Sequence, residues 1–173
     1  MIEKTLALVE NRYFRLVLVG LVFLGLQTTI FNDLRPFGVS LEVMMLLAAS
    51  GGLAAGSETG AIAGFTVGLL YDFVLTTPLG LCAAVFAVVG YLAGFVHSFV
   101  HVATWWSRML LAAGASAAGM ILMPVAFTVT GAEGILSLRV LPVALVVALF
   151  NAALSLPVAW VCKWALKPGA VTR

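Results

Sequence analysis

Two acidic side chains stand inside apolar segments of this sequence. Asp72 lies in the stretch GAIAGFTVGLLYDF, residues 60–73, and Glu42 opens the apolar segment before it. An uncompensated charge at membrane depth costs about 2.5–3.5 kcal/mol, so such residues are normally paired, hydrated or functional. The sequence leaves three interpretations open: hydrogen bonds from Arg35, Arg139 or loop amides that fix the loops, a partner-binding surface, or a relay for protons or cations.

The other reactive side chains do not form a catalytic set. His97 and His101 are four residues apart, but a metal would need further ligands, so we interpret them as interfacial polar residues. Cys82 and Cys162 are predicted near opposite faces of the bilayer, too far apart for a disulfide. The sequence has no Ser/His/Asp set, P-loop or HExxH motif. This pattern favours a binding, scaffold or transport protein over an enzyme and predicts no cofactor and no metal.

The composition is that of an integral membrane protein. Of the 173 residues, 63% are hydrophobic and 9% are charged, and the mean hydropathy is +1.17. A soluble domain would carry roughly a quarter of charged residues. The net charge of +2 is small and the basic residues are dispersed, so the composition gives no reason to expect nucleic-acid binding.

Hydropathy predicts an all-α protein with six transmembrane helices in one domain, residues 1–173. Each segment approaches the roughly 20 residues that cross the hydrocarbon. The first segment lacks a small-residue cleavage site, so we interpret it as a retained helix rather than a signal peptide. The segments are about residues 13–31, 39–55, 60–76, 79–99, 109–129 and 138–166.

The basic residues predict the orientation. With six spans both termini lie on one side of the membrane, and that side holds seven of the nine Lys and Arg residues. Only Arg35 and Arg139 fall on the other side. The excess predicts that both termini are cytoplasmic. The four tryptophans, Trp105, Trp106, Trp160 and Trp164, are then expected at or near the cytoplasmic interface.

Small residues four positions apart line several segments. Gly60, Gly64 and Gly68 share a helix face with Asp72. The pairs Gly52 with Gly56 and Gly90 with Gly94 repeat this spacing. Such stripes let helices approach closely, either within the chain or with a partner's helix, and both interpretations stay open. Because the second, third and fifth segments are rich in small residues, we expect these three segments in the interior of the bundle.

The predicted topology gathers polar side chains near the outer face. The second and third segments are joined by the short GSETG turn, so they should be antiparallel neighbours with Glu42 and Asp72 at similar depth. Asp33, Arg35, Glu133 and Arg139 are expected in the loops above them. In the sixth segment, Asn151 and Ser155 lie one turn apart and could hydrogen-bond to another helix.

Residues 40–95 resemble the rod shape-determining MreD family. That family has an acidic start to an apolar span, a short turn, a G-x-x-x-G-F-x-x-G-L-x-x-D run, then L-G and a span ending in G-Y-L. The family often has Pro-Asp where this chain has Leu41 and Glu42. The matching positions are Gly60, Gly64, Phe65, Gly68, Leu69, Asp72, Leu79, Gly80, Gly90, Tyr91 and Leu92.

The resemblance implies a non-catalytic scaffold of the bacterial cell-elongation machinery. Members of the family associate with the bitopic protein MreC and, through it, with MreB filaments and the RodA/penicillin-binding-protein synthase. Their fold is similar to that of the substrate-binding S components of energy-coupling-factor vitamin transporters. On this view a groove among the helices receives the MreC helix, and Asp72 anchors the outer ends of the second and third segments to shape it.

Two other functions fit the same topology. A true S component would capture a vitamin or metal in an outward-facing pocket, although the short outer loops offer few polar groups. A proton-coupled carrier or lipid flippase would use Glu42 and Asp72, although the sequence shows no convincing inverted repeat.

Overall fold

The computed structural model describes residues 11–34, 39, 41–76, 78–100, 104–129, 131 and 140–167. Within these residues the secondary structure is helical, with no strand. The helices are α1 (Arg12–Asp33), α2 (Val43–Ala55), α3 (Ser57–Asp72), α4 (Leu81–Phe99), α5 (Trp105–Val129) and α6 (Val140–Ala165). The prediction of an all-α protein is confirmed for the described residues.

Four of these helices, α1, α4, α5 and α6, are long and apolar enough to cross a membrane. The other two are shorter, with 13 residues in α2 and 16 in α3. At 1.5 Å per residue they extend about 20 and 24 Å, less than the roughly 30 Å of the hydrocarbon layer. The chain is therefore a helical membrane protein, and its described part has four full-length candidate spans and two short helices.

The link between α2 and α3 is shorter than the sequence suggested. The GSETG stretch was predicted as a turn, but Ser57, Glu58 and Thr59 already belong to α3. Gly56 alone reverses the chain, with φ at 87°, a left-handed conformation that favours glycine. Glu58 then lies in the first turn of α3, where a negative charge suits the helix dipole.

The short helix α2 forms the centre of the molecule. Each residue from Val43 to Leu53 is buried. It contacts the other five helices. A helix that is apolar on every side is typical of a buried position, which explains why its sequence lacks a polar face.

The backbones of α2, α3 and α4 meet at glycines. A Cβ added to Gly60 would lie 2.5 Å from the Cα of Gly52 and 2.6 Å from the carbonyl oxygen of Gly90. Further along, a Cβ on Gly68 would lie 2.6 Å from the Cα of Ala83. Side chains cannot fit at these contacts, so the glycine stripe of α3 is filled by the same chain.

The interior differs from the prediction in one helix. We expected the second, third and fifth segments inside, but α4 packs against α2 and α3, whereas only Ala112, Ser116 and Gly119 are buried in α5. Small residues alone did not discriminate between α4 and α5, because Gly90 and Gly94 of α4 find glycine backbone opposite them.

This packing predicts opposite effects for two glycine substitutions. Gly60→Ala should lower the free energy of unfolding by about 1–3 kcal/mol, because the methyl group would overlap backbone that cannot move away. Gly114→Ala, in the exposed interior of α5 with nothing within 4 Å of an added Cβ, should be neutral or slightly stabilising. Thermal unfolding of both variants in detergent checks this. Equal midpoints for the two variants would contradict the packing.

Candidate functional site at the acidic end of the bundle

The two ends of the bundle carry different charges. We call one the basic end and define it by Arg12, Arg15, Arg108, Lys163 and Lys167, which lie where α1 and α5 begin and α6 ends. We call the other the acidic end and define it by Asp33, Glu42 and Asp72. The Arg15 guanidinium donates to the carbonyl oxygens of Trp164, at 3.2 Å, and Lys167, which ties α1 to the end of α6.

Asp72 binds the start of α4 with both carboxylate oxygens. Its side chain is 2% exposed. Oδ2 accepts backbone N–H groups from Gly80 at 2.9 Å and Ala83 at 3.0 Å, and Oδ1 accepts that of Cys82 at 3.1 Å. These are donors that the first turn of a helix leaves unpaired, and a negative charge there also suits the helix dipole.

The chain folds locally so that this contact can form. α3 ends at Asp72, and α4 begins only nine residues later, at Leu81. Gly80 occupies the N-cap position of α4 with φ at 96°, which a residue with a side chain rarely adopts. Gly80 has no side chain to cap α4, so the carboxylate of the preceding helix does so.

The structure thereby changes one part of the Asp72 hypothesis. We expected Asp72 to anchor the outer ends of the second and third segments, and its described hydrogen bonds join the end of α3 to the start of α4. The partners are loop and helix amides, which was one form of the structural interpretation. Because the carboxylate is buried and both its oxygens accept N–H groups, it is poorly placed to touch a partner or to relay protons directly.

Glu42 lies at the same end of the bundle as Asp72 but has a different environment. Its Oε1 accepts the Tyr71 hydroxyl at 3.5 Å, a long hydrogen bond. Its Oε2 is buried and has no hydrogen-bond partner in the part of the chain that the structure describes. The same holds for Oδ1 of Asn151, a fully buried residue whose Nδ2 donates to the backbone oxygen of Glu42 at 3.3 Å.

Gln27 of α1 completes this group and fixes the start of α2. Its Oε1 accepts the N–H of Val43 at 2.9 Å, and its Nε2 donates to the carbonyl oxygen of Leu41 at 2.5 Å. We call Gln27, Glu42, Tyr71 and Asn151 the polar cluster. Sequence reasoning missed Gln27 and Tyr71. The available signal was the amide of Gln27, which stands in a mostly apolar segment next in sequence to the segment that Glu42 opens.

The remaining predicted residues occupy separate places. Asp33 is exposed at the end of α1. Arg35, Glu133 and Arg139 lie outside the described residues, so their predicted pairing with the acids stays a prediction. Ser155 donates to Ala152 in its own helix rather than across to another.

The predicted glycines divide between packing and turning. Gly60, Gly64 and Gly68 face α4, and Gly52 faces Gly90. Gly56 makes the turn between α2 and α3. No group of three His, Cys, Asp or Glu side chains that could hold a metal occurs among the described residues.

Comparisons with protein-family models, with curated proteins and with solved structures found no match to this chain. The site therefore has to be interpreted from the chemistry of its own residues. That chemistry comprises one carboxylate fully used in capping a helix and a second with unused hydrogen-bonding capacity.

We expect Asp72→Leu to destabilise the protein by about 2–5 kcal/mol, because three backbone N–H groups at the start of α4 lose their acceptor. Asp72→Asn should destabilise the protein less than Asp72→Leu does. Asp33→Leu is the matched control, since it removes an exposed carboxylate at the same end and should change stability by no more than about 0.5 kcal/mol. Chemical or thermal unfolding in detergent measures all three. If the Asp72→Leu variant were as stable as the Asp33→Leu variant, the capping role would be ruled out.

Glu42→Gln should behave in the opposite way to Asp72→Asn. The substitution keeps the shape of the side chain and removes the negative charge of a buried carboxylate whose Oε2 has no partner among the described residues. We therefore expect unchanged or higher stability for Glu42→Gln under conditions in which Asp72→Asn is destabilised. The unfolding midpoints of the two variants, measured side by side at neutral pH, test this expectation. A loss for Glu42→Gln as large as that for Asp72→Asn would indicate that Glu42 is held by a partner of its own.

Proposed function

We propose that this protein is a non-catalytic scaffold in the bacterial inner membrane that serves the cell-elongation machinery, as MreD proteins do. In this role it binds the bitopic protein MreC and, through MreC, supports MreB filaments and the RodA/penicillin-binding-protein synthase. By binding these partners it supports rod shape and lateral peptidoglycan synthesis. It presents a membrane-embedded surface and has no reaction of its own.

One observation carries the proposal beyond the resemblance of the sequence. The run that ends in Asp72 and the later Leu79–Gly80 pair are separate parts of the resemblance, and they meet in one contact between the Asp72 carboxylate and the Gly80 amide. The glycines of the run, Gly60, Gly64 and Gly68, pack on the helix that this contact caps. The two parts of the resemblance are therefore in contact in the fold, which supports the proposal.

We further propose six membrane-crossing helices with both termini in the cytoplasm, and a bundle similar to the S components of energy-coupling-factor transporters. The described basic residues support this orientation, because Arg12, Arg15, Arg108, Lys163 and Lys167 share one end of the bundle. The short helices α2 and α3 would span a bilayer thinned locally or lie partly shielded by the longer helices.

The partner's helix needs a different place from the one the sequence suggested. The stripe on α3 is filled by α4, so it cannot receive a second helix. A groove of about 320 Å³ lies between α4 and α5, and half of its lining residues are small: Ala93, Gly114, Ala115 and Ala118. Transmembrane helices associate on such surfaces, which makes this groove the place where we expect MreC to pack.

The test of the function is a pull-down in gentle detergent from the native membrane, with every co-purifying protein identified. We expect MreC, with or without the synthase. Absence of MreC after crosslinking, when MreC is abundant in the input membrane, would refute the proposed function. Recovery of an ATPase pair and a coupling subunit would instead identify a vitamin-capturing S component.

The position of the partner is tested by filling the groove. Gly114→Leu should lower the recovery of MreC by about tenfold or more while leaving the protein folded, because nothing lies within 4 Å of an added Cβ. Gly25→Leu on α1 is the matched control, since its surroundings are equally open. Equal recovery by the two variants would place MreC on another face without refuting the function.

The S component remains the second candidate because of the polar cluster. The buried Oε2 of Glu42 and Oδ1 of Asn151 have no partner among the described residues. Two such acceptors near the acidic end are the kind of groups that orient a small polar ligand. A vitamin retained through purification, and lost in Asn151→Leu, would favour this function.

A further inference from the structure

A cavity of about 400 Å³ opens at the basic end between α2, α5 and α6. Arg108 of α5 and Lys163 of α6 both line it. Neither side chain has an ion pair or hydrogen bond within the part of the chain that the structure describes, and the Nε of Arg108 is buried without a partner. Glu58, a carboxylate that starts α3 at this end, does not line the cavity. Two cations from different helices thus face one space that no acidic side chain among the described residues lines.

The inner part of the cavity is apolar except for serine hydroxyls. Ser50 of α2 is 1% exposed, and its Oγ has no hydrogen-bond partner among the described residues. It lies five residues before the end of α2, about 8 Å deeper than that end. Ser155 lies eight residues before Lys163, about 12 Å deeper. Leu53 and Leu156 supply apolar wall between these levels.

The rim of the cavity is aromatic. Trp105 and Trp160 line it and are 52% and 74% exposed. Exposed indole rings at the end of membrane-crossing helices are typical of the lipid headgroup level. The rim therefore lies at the depth of phosphate groups, and the serines lie at the depth of glycerol esters and the first acyl carbons.

We propose that this cavity binds one anionic phospholipid, with its phosphate between Arg108 and Lys163. The order of chemical groups along the cavity matches the order along such a lipid. The guanidinium and ammonium donate to the phosphate, the Ser50 hydroxyl donates to an ester carbonyl, and an acyl chain passes Leu53 and Leu156. A free phosphate ion would use only the first of these contacts. This inference requires membrane insertion and does not depend on the proposed role in cell elongation.

Lys and Arg side chains near helix ends commonly extend toward lipid headgroups, so two basic residues do not by themselves indicate a lipid site. What distinguishes this place is the buried Ser50 hydroxyl without a partner among the described residues, together with a cavity large enough for a lipid segment. Arg12 and Lys167, at the same end, do not line the cavity and so provide a comparison of equal charge.

The test is native mass spectrometry of the intact protein released from detergent, with phosphatidylglycerol or phosphatidylcholine added in steps. We expect phosphatidylglycerol to bind at one saturable site. In Arg108→Gln/Lys163→Gln the binding should weaken by about tenfold or more, because charge-assisted contacts to the phosphate are lost. Arg12→Gln/Lys167→Gln removes the same charge and should change binding less than about threefold. Equal weakening in the two double variants would mean that the lipid is attracted by the overall positive charge of this end, and would overturn the proposed site.

Two further measurements separate the lipid from other occupants. Ala159→Leu keeps both cations and fills the cavity, so it should also weaken phosphatidylglycerol binding. Unchanged binding in Ala159→Leu would place the lipid elsewhere and overturn the proposal. Displacement of the lipid by millimolar inorganic phosphate would assign the site to a soluble anion instead. If the freshly purified protein carried a bound polypeptide instead of a lipid, the cavity would be assigned to a protein partner.

Discussion

The close backbone contact of α2, α3 and α4 is the constraint on which the rest of the structure depends. Gly52, Gly60 and Gly90 bring three helices together where no side chain fits. Inside a lipid layer, helices gain little from excluding water, so dispersion contacts between closely approaching backbones carry more of the association. The short helix α2 can be wholly buried because its neighbours approach it this closely.

The Asp72 contact completes that arrangement at the acidic end. Close packing of α3 on α4 places the end of one helix beside the start of the next, and the unpaired amides there need an acceptor. A carboxylate supplies two oxygens and a charge that suits the helix terminus. The acid in the glycine-rich run is thus a structural group with a defined task. Glu42, with an unused oxygen in a buried place, is the acid whose task the described contacts do not exhaust.

The two ends of the bundle suit different kinds of partner. At the acidic end, the side chains of Asp72 and Gln27 form hydrogen bonds within the chain. The basic end keeps Arg108 and Lys163 without partners among the described residues, beside an open cavity.

The sequence by itself determined the class of the protein and the small-residue stripes. Hydropathy depends on composition over some twenty residues, so it can be read without knowledge of any contact, and it located helical segments close to the observed ones. It also marked Asp72 as a residue that needs partners, because an acid in an apolar segment is costly wherever it lies.

Only the tertiary structure decided which partners those residues have. The amides of Gly80, Cys82 and Ala83 reach the Asp72 carboxylate through a loop whose path depends on the packing of α3 on α4. Likewise Gln27 and Asn151 meet the segment around Glu42 from helices distant in sequence. The choice of α4 rather than α5 for the interior depended on which glycines oppose each other, and a stripe of small residues specifies close approach without specifying the helix that approaches.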